Sequence, residues 1–305
     1  MPQIIKTSKI HVICNQLAVH ARNIFNMTRG LAVLAAGRIS TTALLFVCCN
    51  IAEAQTFQAK DSISALIKNS PSFTIYKDNY FITGVPVNTQ PTKYNSDVKF
   101  QISFKQRLTN AVLPFNTVLY LSYTQKSFWD IYRKSSPFAE TNYNPSIAIS
   151  KFFYYKQKLI SLSVAFEHES NGKDSIYSRS WNRLALNWAI EASKRSRLYL
   201  NFWIPFQYEA DNPDLLDYVG KLEVAYQWKT LNQRLMIDAT VRKGHKFDWR
   251  GSLQTQVSYR LNKNENQYIT LQWFTGYAEN LLDYKEKRQM LRLGITIKPS
   301  RFVFY

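Results

Sequence analysis

The chain has 305 residues, a formal net charge of +18, and 15% Phe, Trp and Tyr against only 9 Gly and 10 Pro. This composition excludes a disordered polymer, a collagen and a disulfide scaffold. After the N-terminal region no apolar run reaches the roughly 18 residues of a membrane-spanning helix, and a helical membrane protein is excluded.

The first 54 residues read as an export signal. Arg38 precedes an apolar stretch from Ile39 to Ala52 that ends in Ala52-Glu53-Ala54 before Gln55. The stretch has the length of a signal core and is too short to span as a helix, and Ala-x-Ala is a cleavage pattern. Met27 is an alternative start that gives a signal of ordinary length. Cleavage leaves residues 55–305 with a charge of +14, removes Cys14, Cys48 and Cys49, and keeps only His168 and His245. An exported chain without cysteine needs no disulfide or thiol chemistry, and Cys/His metal clusters are nearly excluded.

Residues 55–72 read as a lead-in with one helical turn at Asp61–Ile67. Beyond it, period-two patterns dominate. Val98, Phe100, Ile102 and Phe104 alternate with Lys99, Gln101, Ser103 and Lys105; Leu291, Leu293, Ile295 and Ile297 alternate with Arg292, Thr296 and Lys298. Such alternation gives a strand one apolar and one polar face. Strands are predicted near 73–83, 98–106, 117–125, 147–155, 158–170, 179–191, 197–208, 218–229, 233–243, 252–261, 267–276 and 290–298. Twelve is an even number, and long connections alternate with short ones. The chain ends Phe302-Val303-Phe304-Tyr305. These features predict an all-β protein, a twelve-stranded antiparallel transmembrane β-barrel of the outer membrane over 73–305. A soluble lipid-binding barrel would carry the same alternation with its apolar face inward.

Strand 158–170 carries His168 and Ser170 on the parity of Val164 and Phe166. Strand 179–191 carries Asn182 on the parity of Leu184 and Leu186. In a membrane barrel all three lie on the outer wall, at the rim where one hairpin joins the two strands. Residues two apart on a strand are separated by about 7 Å, a gap that an imidazole can bridge. A serine, a histidine and an orienting amide make a nucleophile, base and orienter set. A lone His-x-Ser on a strand is, on its own, usually without chemistry.

The surrounding residues are more specific. His168-Glu169-Ser170-Asn171-Gly172 followed by Ser178-Arg179-Ser180-Trp181-Asn182-Arg183 resembles the signature of the bacterial outer-membrane phospholipase A family. Further similar segments run in order along the chain: Asp97-Val98-Lys99-Phe100-Gln101, Tyr123-Thr124-Gln125-Lys126-Ser127, Ser135 to Tyr143, Asp211-Asn212-Pro213-Asp214, and Gly276 to Tyr284. The resemblance implies a twelve-stranded barrel that hydrolyses the sn-1 and sn-2 acyl esters of phospholipids and lysophospholipids, requires Ca²⁺ and is activated as a homodimer. It implies Ser170 as nucleophile, His168 as base, Asn182 as orienter and the Gly172 amide near the oxyanion. For calcium it implies the Ser178 hydroxyl, the Lys173 carbonyl, Asp211 nearby, and Ser135 from a partner subunit. Gln125 matches a polar residue of the dimer interface. One departure is Ser175, where the family pattern has an Asp; here Asp174 precedes it. The implied setting is the outer membrane with the active site toward the outer leaflet, a membrane phospholipid substrate and no nucleic-acid partner. His245, beside Lys243 and Lys246, reads as a solvated loop residue. The rival reading is a porin-like or structural barrel without chemistry.

Overall fold

The computed structural model describes residues 57–109, 113–262 and 265–299. The proposed signal segment and the aromatic C-terminus lie outside the described residues. A helix, α1 (Phe57–Asn69), leads in and is longer than the single turn expected. The strands follow as β1 (Phe73–Ile75), β2 (Asn79–Pro86), β3 (Asp97–Arg107), β4 (Thr117–Trp129), β5 (Phe138–Tyr155), β6 (Lys158–Ser170), β7 (Ser180–Ser193) and β8 (Ser196–Phe206). After a helical turn, α2 (Leu216–Val219), come β9 (Leu222–Lys229), β10 (Leu235–Lys243), β11 (Gly251–Arg260), β12 (Gln267–Gly276) and β13 (Arg288–Ile297).

Each strand pairs antiparallel with its neighbours, and β13 closes on β2 to complete a barrel. The first expected strand is broken. Both β1 and β2 pair with β3, through Ile75 with Phe104 and Tyr80 with Gln101, so the register slips across Tyr76–Asp78. The break turns the Asp78 carboxylate inward, where the Lys298 ammonium meets it at 2.7 Å. Counted as one stave, β1 and β2 make twelve with the rest, as the alternation predicts.

Two boundaries differ from expectation. β5 begins at Phe138, nine residues before the expected start at 147, and β4 runs on to Trp129, so a short loop joins them. Glu140, Asn142 and Asn144 face inward there, and polar residues on both sides hide the amphipathic signal. β9 begins at Leu222 because residues 216–219 coil into α2.

Connections 87–96, 130–137, 171–179, 207–221, 244–250 and 277–287 lie at one end of the barrel. At the other lie residues 108–109 and 113–116, the two-residue turns 156–157 and 194–195, and residues 230–234, 261–262 and 265–266. The apolar face points outward. On β13, Leu291, Leu293 and Ile295 are 36%, 53% and 55% exposed, whereas Arg292 between them is 0% exposed. A belt of exposed aliphatic and aromatic side chains around buried charge is the reverse of a water-soluble barrel.

The interior is held by ion pairs. The Arg292 guanidinium bonds Asp97 at 2.7 and 2.8 Å and Glu279 at 2.6 Å, and Lys99 Nζ reaches Glu279 at 3.0 Å and Gln272 at 2.9 Å. Glu279 enters from the loop 277–287, so this network is also a plug. Charges buried without partners would cost several kcal/mol each, and these four side chains are paired and hydrogen-bonded to one another. Under the long loops sits an apolar cluster that includes Trp181, Trp203, Leu215, Val219, Leu281 and Tyr284.

Candidate active site

Strands β6 and β7 pair in unbroken register from Ile160 opposite Ile190 to Ser170 opposite Ser180. That register sets His168 directly opposite Asn182. His168 Nδ1 and Asn182 Oδ1 are 2.9 Å apart. Because a carboxamide oxygen only accepts, the contact requires the proton on Nδ1 and leaves Nε2 free to take another. Asn182 is itself oriented, since its Nδ2 donates to Gln207 Oε1 at 3.0 Å. Gln207 follows the last residue of β8 and adopts φ 51°; Phe206, before it, pairs with Asn182.

Ser170 continues the face of His168, two residues toward the rim. Among the described residues no hydrogen bond joins its hydroxyl to the imidazole. The separation along the strand is about 7 Å, and nucleophile–base contacts are often long before substrate binds. Val164 and Phe166, on the same face below, are 48% and 46% exposed. The three residues therefore stand on the outer wall at the upper edge of an apolar belt.

The inner faces of the same strands keep them rigid. Arg183 bonds Glu167 at 2.6 Å and Glu169 at 2.8 Å, and its guanidinium lies 4.3 Å from the Trp181 ring centroid. Trp181 Nε1 also donates to Glu169. Neighbouring odd positions thus lock the strand pair from inside while the even positions carry His168, Ser170 and Asn182 on the outer face.

The loop after Ser170 is shaped by Asn171 and Gly172. The Asn171 side chain, 4% exposed, donates to Tyr177 O and accepts from the Arg179 amide, closing the loop on itself. Gly172 has φ +65°, and a Cβ there would sit 3.1 Å from the Tyr143 ring. Lys173 extends over β5 to the Glu140 carboxylate at 2.9 Å.

Oxygen donors gather beside this loop. Asp211 Oδ2 accepts from Ser178 Oγ at 3.1 Å and from Ser180 Oγ at 2.8 Å. Asn212, fully buried, accepts from the Ser180 amide and holds the loop 207–221 against β7. A carboxylate, two hydroxyls and nearby carbonyls form an all-oxygen donor set, which fits a hard cation such as Ca²⁺ and not zinc. Among the described residues no group of three or more His, Cys, Asp or Glu could hold a metal, so carbonyls and water would have to supply most ligands. Outside the strands, burial raises the Asp214 carboxyl, but hydrogen bonds from Lys285 and Tyr284 outweigh it and hold the group below the usual carboxylate range.

The other expected residues lie apart. Ser135 is exposed in the loop 130–137 with φ 65°. Gln125 lies on the outer face of β4, accepting from Tyr123 OH at 3.0 Å and donating to Ser127 Oγ at 3.2 Å. His245 is an exposed loop residue, as expected. Four residues that hold this arrangement were missed in the sequence: Gln207, Ser180 and the loop clamps Asn171 and Asn212. The clamps were visible only as ordinary loop polarity. Gln207 falls within the predicted strand 197–208, but the register that brings it to Asn182 has no local signal.

The phospholipase A1 family profile matches residues 58–297. The chain belongs to the phospholipase A1 family. The Salmonella typhimurium Phospholipase A1 is 28% identical over 264 residues, covering 80% of this chain and 85% of that protein. The Escherichia coli K12 Phospholipase A1 is 31% identical over 218 residues, 66% of this chain and 69% of that protein. The fold is similar to the outer membrane phospholipase A of E. coli, with TM-score 0.65 and 26% identity over 73% of this chain and 93% of that one. It is also similar to a Salmonella typhi outer membrane phospholipase dimer with bound calcium, with TM-score 0.67 and 27% identity over 78% and 97%.

Proposed function

We propose that this phospholipase A1 family member is a calcium-dependent acyl hydrolase of the outer membrane, cleaving sn-1 and sn-2 esters of phospholipids and lysophospholipids from the barrel's outer wall. The observation that carries the reading is the 2.9 Å His168–Asn182 contact at the edge of the apolar belt, with Ser170 next on the same face.

In this reading Ser170 Oγ attacks the acyl carbonyl while His168 Nε2 takes its proton. Asn182 keeps Nδ1–H directed inward and so holds the productive tautomer. The imidazolium then protonates the leaving glycerol oxygen, and a water repeats the cycle to release the fatty acid. The Gly172 amide follows the nucleophile closely enough in sequence to face the developing oxyanion. Because Asn182 is neutral, the imidazolium gains no carboxylate stabilisation, and positive charge near the oxyanion becomes more valuable. Bound Ca²⁺, held by Ser178, the Lys173 carbonyl and Asp211, would supply that charge. The apolar belt lets acyl chains stay in a hydrocarbon environment while the ester reaches the rim; with the long loops external, as in outer-membrane barrels, that rim faces the outer leaflet.

Activity in this reading depends on a homodimer, with Ser135 of one subunit reaching the calcium site of the other and Gln125 at the interface. Substrate surrounds such an enzyme permanently, and a site completed only by a second subunit stays idle in the monomer. Fatty-acid release from phospholipid–detergent micelles tests the chemistry. Release with calcium, absent with chelator and absent in Ser170→Ala, is expected. No release from a folded, calcium-loaded, cross-linked dimer would leave a barrel without chemistry. Equal activity of monomer and cross-linked dimer would overturn the dimer requirement.

A further inference from the structure

The chain carries far more positive than negative charge, and the structure shows where the excess lies. Inside the barrel, carboxylates are taken by cations: Asp97 and Glu279 by Arg292, Glu167 and Glu169 by Arg183, Glu223 by Arg242, and Asp78 and Asp238 by Lys298. At the long-loop end many of the bases are also matched. Lys246 meets Asp217 at 2.6 Å, Lys285 meets Asp214 at 2.8 Å, and Arg288 meets Asp283 at 2.6 Å.

Among the described residues, exposed lysines without an ion pair occur at that end too, at Lys93, Lys134, Lys221 and Lys287, but among the carboxylates of the long loops; the described short turns carry one carboxylate, Glu265. Lys156 and Lys158 flank the β5–β6 turn, Lys194 and Arg195 form the β7–β8 turn, and Arg234 closes the β9–β10 turn. All five are exposed. Among the described residues none forms an ion pair, whereas Glu191, the carboxylate beside them, is taken by Arg197 at 2.9 Å. The three hairpins come from six consecutive staves, so the five cations form one continuous arc. Tyr155, 42% exposed, ends β5 just before Lys156, whose Nζ is 5.5 Å from its ring centroid. An exposed aromatic ring ending the strand against a cation of the turn matches the layering of a leaflet, with acyl chain under headgroup phosphate.

We propose that this arc binds the headgroups of anionic phospholipids in the leaflet that meets the short turns. The proposal rests on the membrane-spanning reading of the barrel. β6 connects the arc to the active site, with Lys158 at one end and Ser170 at the other, about 40 Å apart at strand rise. The arc is thus a second lipid site, across the bilayer from the hydrolytic one. It selects lipid by charge, where the outer wall selects by ester and acyl chain.

The test uses the full chain in nanodiscs of phosphatidylcholine with one fifth phosphatidylglycerol, counting retained lipids by native mass spectrometry. Wild type is expected to retain phosphatidylglycerol at least about threefold above its bulk share, a preference that salt weakens. A variant with Lys156→Gln, Lys158→Gln, Lys194→Gln, Arg195→Gln and Arg234→Gln should fall to the bulk share. A control with Lys93→Gln, Lys134→Gln, Lys221→Gln and Lys287→Gln at the opposite rim should keep the preference. Equal enrichment in wild type and the five-site variant overturns the proposal, as does loss of enrichment in the control alone. Insertion is followed separately by protease protection in vesicles. A barrel that fails to insert overturns the membrane reading and the proposal together; an inserted barrel with no phosphatidylglycerol preference overturns the proposal alone. Fatty-acid release is measured in parallel, so its failure bears on the hydrolase reading only.

Discussion

Replacing Asn182 by Ala removes one acceptor and leaves the rest of the constellation in place. Asn182 makes two side-chain hydrogen bonds, to His168 at 2.9 Å and to Gln207 at 3.0 Å. Neutral hydrogen bonds of this kind contribute about 1 kcal/mol each, within a factor of two. Losing the His168 contact frees the imidazole rotamer and tautomer without removing nucleophile or base. The expected cost is about 1–2 kcal/mol in the barrier, or roughly 5- to 30-fold in kcat, with KM little changed. Ser170→Ala should cost at least about a thousandfold, because the covalent route itself is lost. Gln207→Ala acts only through Asn182 and should cost about threefold, near 0.7 kcal/mol. The decisive measurement is the double-mutant cycle, read as initial rates of fatty-acid release from mixed micelles at saturating calcium. In the Asn182→Ala background, Gln207→Ala should have no further effect, since its partner is gone. Full additivity of the two, or an Asn182→Ala enzyme as inactive as Ser170→Ala, would refute the orienting role. Folding of each variant is checked by its heat-dependent mobility in detergent gels.

Three other outcomes follow from the same structure. Arg292→Met leaves Asp97 and Glu279 buried with one cation fewer, and should destabilise the barrel by about 3–5 kcal/mol in reversible urea unfolding from liposomes; a loss below 1 kcal/mol would mean that the lumen is hydrated enough to screen it. Asp214 has a depressed carboxyl, so its contribution to stability is present above the ordinary carboxylate pKa and is lost as pH falls through the depressed one. The destabilisation caused by Asp214→Asn should accordingly be present at pH 7 and shrink as pH falls below the ordinary carboxylate pKa, and a difference that grows on acidification would contradict the assignment. Ser175→Asp adds a second carboxylate to a loop whose local donors include a single Asp, Asp174, and should lower the calcium concentration for half-maximal activity several-fold; an unchanged titration would remove this loop from the calcium site.

The barrel was legible because its signal is local. Alternation along 98–106 or 290–298 needs only the pleat, and twelve such segments of alternating loop length leave few closed topologies. The three residues of the candidate site were legible for a mixed reason. Parity placed His168, Ser170 and Asn182 on one face, but their chemistry was proposed from resemblance, since His-x-Ser alone is uninformative. Where polar residues occupied both faces, as at 138–146, the local signal failed and β5 was read too short. Where the pairing with β3 slips register, across Tyr76–Asp78, one predicted strand became two.

The amino-acid sequence by itself determined the strands, their two faces and the residues available at the rim, because those depend on neighbours two positions apart. Tertiary structure alone decided which face is outside, which register sets Asn182 opposite His168, that Gln207 completes the orienting chain, and that cations gather away from carboxylates on one rim. Those are relations between residues far apart in the chain, set by closure of the sheet and by which buried charges find partners within it.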